Sequence, residues 1–150
     1  MKAFNKFLTI PATLAISVMI AFTACAGNDR PAQLTDLPNA AQAFVKKHLT
    51  AEKPVLVTID KEVTGNTYEV NFSSGNSVDF DRRGEWKEVE CRPEVPAAIV
   101  PAQILKLVQN NYPEAKIIKI DRDKRGYEVE LSTRIELKFD KNCNLIEIDN

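Results

Sequence analysis

Two distant stretches of this chain carry the same alternation of apolar and polar residues. Tyr68-Glu69-Val70-Asn71-Phe72 matches Tyr127-Glu128-Val129-Glu130-Leu131 position by position. Strict alternation marks a strand with one dry and one wet face, and its recurrence means that one architecture must satisfy both stretches. The match extends downstream. Phe80-Asp81-Arg82-Arg83-Gly84-Glu85-Trp86 corresponds to Phe139-Asp140-Lys141-Asn142-Cys143-Asn144-Leu145, and in each the Asp is placed to open a tight turn between two strands. Val55, Val57 and Ile59 alternate as Ile118 and Ile120 do, and Val89 matches Ile148.

It extends upstream as well. The segments Leu37-Pro38 to Leu49 and Val100-Pro101 to Tyr112 each open on an apolar residue and a proline, as helix starts often do. Ala41, Phe44, Val45 and Leu49 recur at helical spacing in the first, and Ile104, Leu107, Val108 and Tyr112 in the second. Pro54 and Pro113 mark the breaks that follow. The pattern predicts an α+β fold of two tandem helix-plus-four-strand repeats, with the helices packed on one face of an antiparallel sheet. The expected boundaries are a signal peptide over 1–24, a tether over 25–35, and repeats over 36–94 and 95–150. Matching Val89 to Ile148 makes theirs the core face of the fourth strands. Counted from there, Trp86 and Leu145 point outward beside Glu88, Glu90 and Glu147. These five are the candidate partner-binding residues, with the tryptophan as anchor.

Composition removes several function classes. Twenty basic side chains stand against 21 acidic ones in 150 residues, a formal net charge of −1. Nucleic-acid binding asks for a basic field that this chain lacks. An apolar fraction of 44% with nearly balanced charge is that of a folded chain. Lys2 and Lys6 precede an uncharged apolar run from Phe7 to Thr23, the pattern of a secretory signal too short for a membrane span. Phe22-Thr23-Ala24-Cys25 is similar to a bacterial lipoprotein box with Phe in place of the usual Leu, which makes Cys25 the expected lipidation site. Ala24-Cys25-Ala26 also fits an Ala-x-Ala cleavage rule. Either way the chain is expected to be exported to the periplasm or outer membrane, touching the membrane only through a lipid anchor.

The signal, followed twice by an apolar-Pro helix and strands with an Asp-led hairpin, resembles the PepSY-like, beta-lactamase-inhibitor-protein-like family of secreted bacterial proteins. The elements that carry it are Leu37-Pro38 with Phe44, Val100-Pro101 with Tyr112-Pro113, Tyr68, Tyr127, and Phe80-Asp81 through Trp86. The resemblance implies a helix-on-sheet fold in the Gram-negative envelope and, for most members, no established activity. Protein binding is the natural class, so a non-enzymatic envelope module, protein-binding or inhibitor-like, is expected. The resemblance carries over no inhibitory residue.

Chemistry-bearing residues are few. His48 sits at the edge of an apolar helical stripe with no HExxH motif or Cys/His pair beside it, and reads as a packed helix-end histidine. Asp121-Arg122-Asp123-Lys124-Arg125-Gly126 faintly echoes a calcium loop, but position five is Arg125 and position twelve is Ser132. Ser73, Ser74 and Ser77 lack a nucleophile elbow and a base. No catalytic residue, metal or cofactor is expected. Cys91 and Cys143 could bridge in an oxidising compartment or stay free thiols. The alternative function is a small-molecule or glycan carrier, which would need a pocket lined by several of the few aromatic residues.

Overall fold

The computed structural model describes residues 30–63 and 65–149, so the signal and Cys25 lie outside the described residues. In chain order the elements are β1 (Arg30–Ala32), α1 (Asn39–His48), β2 (Pro54–Glu62), β3 (Gly65–Phe72), β4 (Ser77–Phe80), β5 (Trp86–Glu90), α2 (Ala102–Asn111), β6 (Ile117–Arg122), β7 (Gly126–Leu131), β8 (Glu136–Asp140) and β9 (Leu145–Asp149). Pro38 and Pro101 precede the helices, and the stripes Ala41/Val45 and Ile104/Val108 face inward. The Asp-led hairpins form as expected. Asp81 Oδ1 accepts from the amides of Arg83 (2.8 Å) and Glu85 (2.9 Å), and Asp140 Oδ1 from those of Asn142 and Asn144, both at 2.8 Å.

The expectation of two tandem helix-plus-four-strand repeats is corrected by the sheet. All nine strands form a single antiparallel sheet in strict chain order, and two ten-residue helices are its only α-helices among the described residues. No boundary divides it, because β5 pairs directly with β6 through Glu88–Asp121, Val89–Ile120 and Glu90–Lys119. The segment read as tether contributes a strand of its own, since Arg30–Ala32 pairs with Ile59–Val57. A β5 edge left open would expose unpaired amides and carbonyls, and β6 closes it.

Register explains the core. One cross-strand row runs Ala32, Val57, Val70, Val78, Val89, Ile120, Val129, Leu137, Ile148. Six consecutive members, from Val70 to Leu137, are completely buried. The helices cover this row, and Ala41, Val45, Ile104 and Val108 join it in one continuous core.

Four bulges interrupt the alternation, at Val55 in β2, Lys87 in β5, Ile118 in β6 and Ile146 in β9. Each adds one residue opposite a single partner and reverses the parity of the strand beyond it. Two expectations change as a result. Val55 is 60% exposed on the wet side rather than part of the core, and the buried position beside Ile118 is held by Ile117. Trp86 and Leu145, expected to face outward, pair with the buried Phe80 and Phe139 and so lie on the helix side.

Trp86 packs beside Phe44, with ring centroids 6.4 Å apart, and Phe44 in turn meets Phe80 edge-on at 5.6 Å. The Arg122 guanidinium lies 4.4 Å from the indole centroid and donates to the Trp86 carbonyl at 2.8 Å. His48 stacks obliquely on Phe44 at 4.8 Å, as its place on the helix predicted. Burial and the neighbouring Lys47 hold its pKa below the usual histidine value. Cys91 is buried, Cys143 is half-buried, and both are free thiols.

Two substitutions check this packing. Trp86→Glu would place a carboxylate among Phe44, Phe80 and Arg122, so urea denaturation should show a loss of about 2–4 kcal/mol; an unchanged midpoint would return Trp86 to the solvent. At Gly126 a Cβ would collide with the Phe139 carbonyl and the Asp140 backbone across the β7–β8 ladder. Gly126→Ala is expected to cost about 2–3 kcal/mol. Gly75→Ala, at φ +87° with open space around it, should cost only about 1 kcal/mol.

Candidate functional site

The face of the sheet away from the helices is where side chains unused by the core converge. Period-two alternation sends every second residue of each strand to this side, and register decides who stands beside whom. One row reads Thr58, Glu69, Asp79, Glu88, Asp121, Glu128, Lys138, Glu147. Five carboxylates from five successive strands therefore stand shoulder to shoulder. The parallel row reads Leu56, Asn71, Ser77, Glu90, Lys119, Glu130, Glu136, Asp149. The bulges at Lys87 and Ile146 turn those two side chains to the same side. A concavity of about 700 Å³ lies over the middle of the face, lined among others by Asp79, Glu88, Lys119, Asp121, Glu128 and Lys138.

Like charges directly opposite each other destabilise a sheet, and the acidity of the row shows it. Asp79 is pushed up to about 6 by burial, then by the charges of Glu69 and Glu88. Asp121 is pushed up to about 7 by burial, then by its hydrogen bond to Glu88 and that group's charge, with Glu128 adding to the effect. Lys119 relieves part of this, reaching Glu88 at 3.0 Å and Asp121 at 3.6 Å. Its burial works against its charge, but those two acids outweigh it and leave its pKa raised. Lys138 is held by Asp149 at 2.6 Å and Glu147 at 3.2 Å, bonds that keep its ammonium well above the ordinary lysine range.

Of the five candidate residues, Glu88 and Glu147 stand in the first row and Glu90 in the second, so the structure brings the three acids onto one face. Trp86 and Leu145 stand on the other. Glu69, Asp79, Asp121 and Glu128 were missed as site residues. Asp121 drew notice only in the calcium-loop echo, the other three are unremarked outward positions in their own strands, and only pairing lines them up. The loop Asp121–Gly126 turns its second carboxylate on itself. Asp123 Oδ1 accepts from the Arg125 amide at 2.7 Å and the Gly126 amide at 3.2 Å, while Oδ2 takes the Arg125 side chain at 2.8 Å. Among the described residues no group of three or more His, Cys, Asp or Glu side chains is disposed to hold a metal ion. Phe44, Phe80 and Trp86 lie on the helix side, and the aromatic residues that line the concavity are Tyr127 and Phe139.

The family model described as "Putative beta-lactamase-inhibitor-like, PepSY-like" matches residues 66–147. A Bacteroides thetaiotaomicron protein described as a "putative calcium-regulated periplasmic protein" superposes with a TM-score of 0.79 at 50% identity, over 81% of this chain and 97% of its own. A "putative periplasmic protein" of the DUF2874 family from Bacteroides vulgatus gives a TM-score of 0.80 at 44% identity, covering 83% and 99%. A second Bacteroides vulgatus protein, of unknown function, gives 0.77 at 30% identity, covering 81% and 99%. No curated protein matches the chain. The family description is inhibitor-like rather than that of a known enzyme, and the three structural neighbours are described as periplasmic. With its fold shared by these neighbours and more than half its length matched by the family model, the chain belongs to the PepSY-like family.

Proposed function

We propose that this protein is a non-enzymatic envelope module that holds a cationic protein surface against the open face of its sheet, restraining the partner as an inhibitor-like protein would. The observation that carries the reading is the row Glu69, Asp79, Glu88, Asp121, Glu128. Lys119 relieves the repulsion among these five adjacent carboxylates only in part, and a cationic partner removes more of it. Positions that break a local rule of stability are where binding sites are expected. Charges so arranged also steer encounter with an oppositely charged protein. The reading includes export as a lipoprotein anchored at Cys25, which would present the face to the periplasm.

A second reading, cation control of the same face, is favoured by the thetaiotaomicron neighbour's description as calcium-regulated. In this chain it takes the form of competition, with Ca2+ screening the row against the cationic partner.

The test is fluorescence anisotropy with a labelled octalysine peptide and the folded protein. Glu69→Gln with Glu128→Gln should weaken binding about tenfold at low salt, and added salt should weaken the wild type steeply. Affinity should rise between pH 5.5 and 8 as Asp121 and Asp79 ionise. Ca2+ at matched ionic strength should displace the peptide more than Na+ if the second reading holds. Equal affinity for wild type and the double variant would sink the first.

Stability should move the other way with pH. The folded state keeps the protons of Asp79 and Asp121 to about 6 and 7, whereas an aspartate in the unfolded chain loses its proton near 3.9. These two groups therefore favour folding most at low pH, and their contribution is lost as pH rises from about 4 through about 7. Asp121→Asn is expected to raise the melting temperature at pH 8 and leave it unchanged near pH 4, as read by circular dichroism. A lower melting temperature at pH 8 would contradict the assigned repulsion.

A further inference from the structure

We infer that β9 is an acceptor edge for a tenth strand, an extended segment of a partner protein in which apolar and basic residues alternate, laid antiparallel along Leu145–Asp149. The inference concerns the edge of the sheet and does not depend on the reading of its open face.

The two edges of the sheet are built differently. β1 has three residues with Pro31 at the centre, and proline offers no amide to an incoming strand. β9 has five residues without proline or lysine, and its protections are the bulge at Ile146 and two acids, Glu147 and Asp149. Its apolar side chains lie open, Leu145 at 36%, Ile146 at 66% and Ile148 at 50%. Half of the large apolar side chains exposed among the described residues are on this one short strand. On the helix side, α2 and β9 leave a groove of about 390 Å³ lined by Lys106, Leu107, Asn110, Cys143 and Leu145.

The molecule contains a template for what would fill such an edge. β5 has the same local build as β9, an Asp-led hairpin followed by a bulge, and β6 covers it. There Lys119 faces Glu90, Ile120 faces Val89, Asp121 faces Glu88 in the acid-on-acid pair already described, and Arg122 reaches back over Trp86. Opposite Glu147 of β9, a basic residue in place of Asp121 would relieve that pair. In β9 the corresponding places are Asp149, Ile148 and Leu145. A complementary segment therefore sets a basic residue against Asp149, an apolar one against Ile148, and a long side chain over Leu145 into the groove. Main-chain hydrogen bonds would give it affinity and the alternate side chains its specificity.

A second copy of this chain fits poorly. An antiparallel pair centred on Ile148 sets Glu147 against Asp149 of the other copy, and one centred on Glu147 opposes two glutamates. Like charges directly opposite destabilise such a pair. A basic segment reverses the sign of that contact.

The experiment titrates labelled Gly-Ile-Ile-Lys-Ile-Lys-Arg-Gly into the folded protein and maps backbone amide exchange with and without it. Binding is expected to slow exchange in β9, and Ile148→Lys, which blunts the edge with charge, should weaken binding about tenfold. Glu69→Gln with Glu128→Gln, which disables the open face, should leave the peptide's protection of β9 unchanged, whatever it does to binding elsewhere on the protein. Absence of binding, or protection confined to other strands, would overturn the proposal. So would concentration-dependent protection of β9 without peptide, which would make a second copy the occupant. If Ile148→Lys fails to fold, the exchange map of the wild type decides alone.

Discussion

Everything in this molecule hangs on the cross-strand row that runs from Val57 through Val70, Val78, Val89, Ile120 and Val129 to Leu137. β-branched side chains dominate it because they pack well on a pleated surface while losing little freedom. A sheet of nine strands has too much apolar area on one side to leave wet, and two short helices are enough to dry its middle. The same arithmetic leaves the outermost strands thinly covered, which is why Ile148 belongs to the row and yet stays half exposed. The row also sets the register, since slipping one strand by a residue would turn its whole apolar set into water. The acidic row on the opposite face is therefore held in line by the core behind it.

The bulges are the second organising device. Each places two neighbouring side chains on the wet side opposite one partner, and each bends its strand and adds local twist. Lys87 joins the open face this way, and Trp86 is turned inward to Phe44 and Arg122 by the same step. Arg122 stands inside a row of Ile59, Tyr68, Phe80, Trp86, Tyr127, Phe139 and Leu145, whose outer end on β1 is Arg30. The Arg122 guanidinium is satisfied by the indole face, a carbonyl and Glu85 together. It ties the start of β5 to the far end of β6.

Much of this was legible in the residues. Proline followed by apolar residues at helical spacing located α1 and α2, and the aspartates at 81 and 140 located two hairpins by the turn chemistry they then perform. The bulges were not legible, because Val55, Ile118 and Ile146 are apolar and mimic the alternation that they break. Nor was the β5–β6 pairing, since a strand edge says nothing of its neighbour when a helix intervenes. The internal likeness suggested two units where pairing makes one sheet. At the candidate site, Glu88, Glu90 and Glu147 could be read from local alternation. Glu69, Asp79, Asp121 and Glu128 acquire meaning only from their partners across the sheet, which is information no single strand contains.

Strict chain order in the sheet has a consequence for how the molecule assembles. Every strand pairs with the strand made just before it, so no pairing must wait for a distant segment and the cost of closing long loops stays small. A chain delivered to its compartment from the N-terminal end can zip up strand by strand as it arrives, each new strand sealing the edge left by the last. The stretches between β1 and β2 and between β5 and β6 ask the growing sheet to pause with an open border, and in each of them a helix forms. Among the described strands β9 is the last in this order, and its outer border is one that the zipping leaves open.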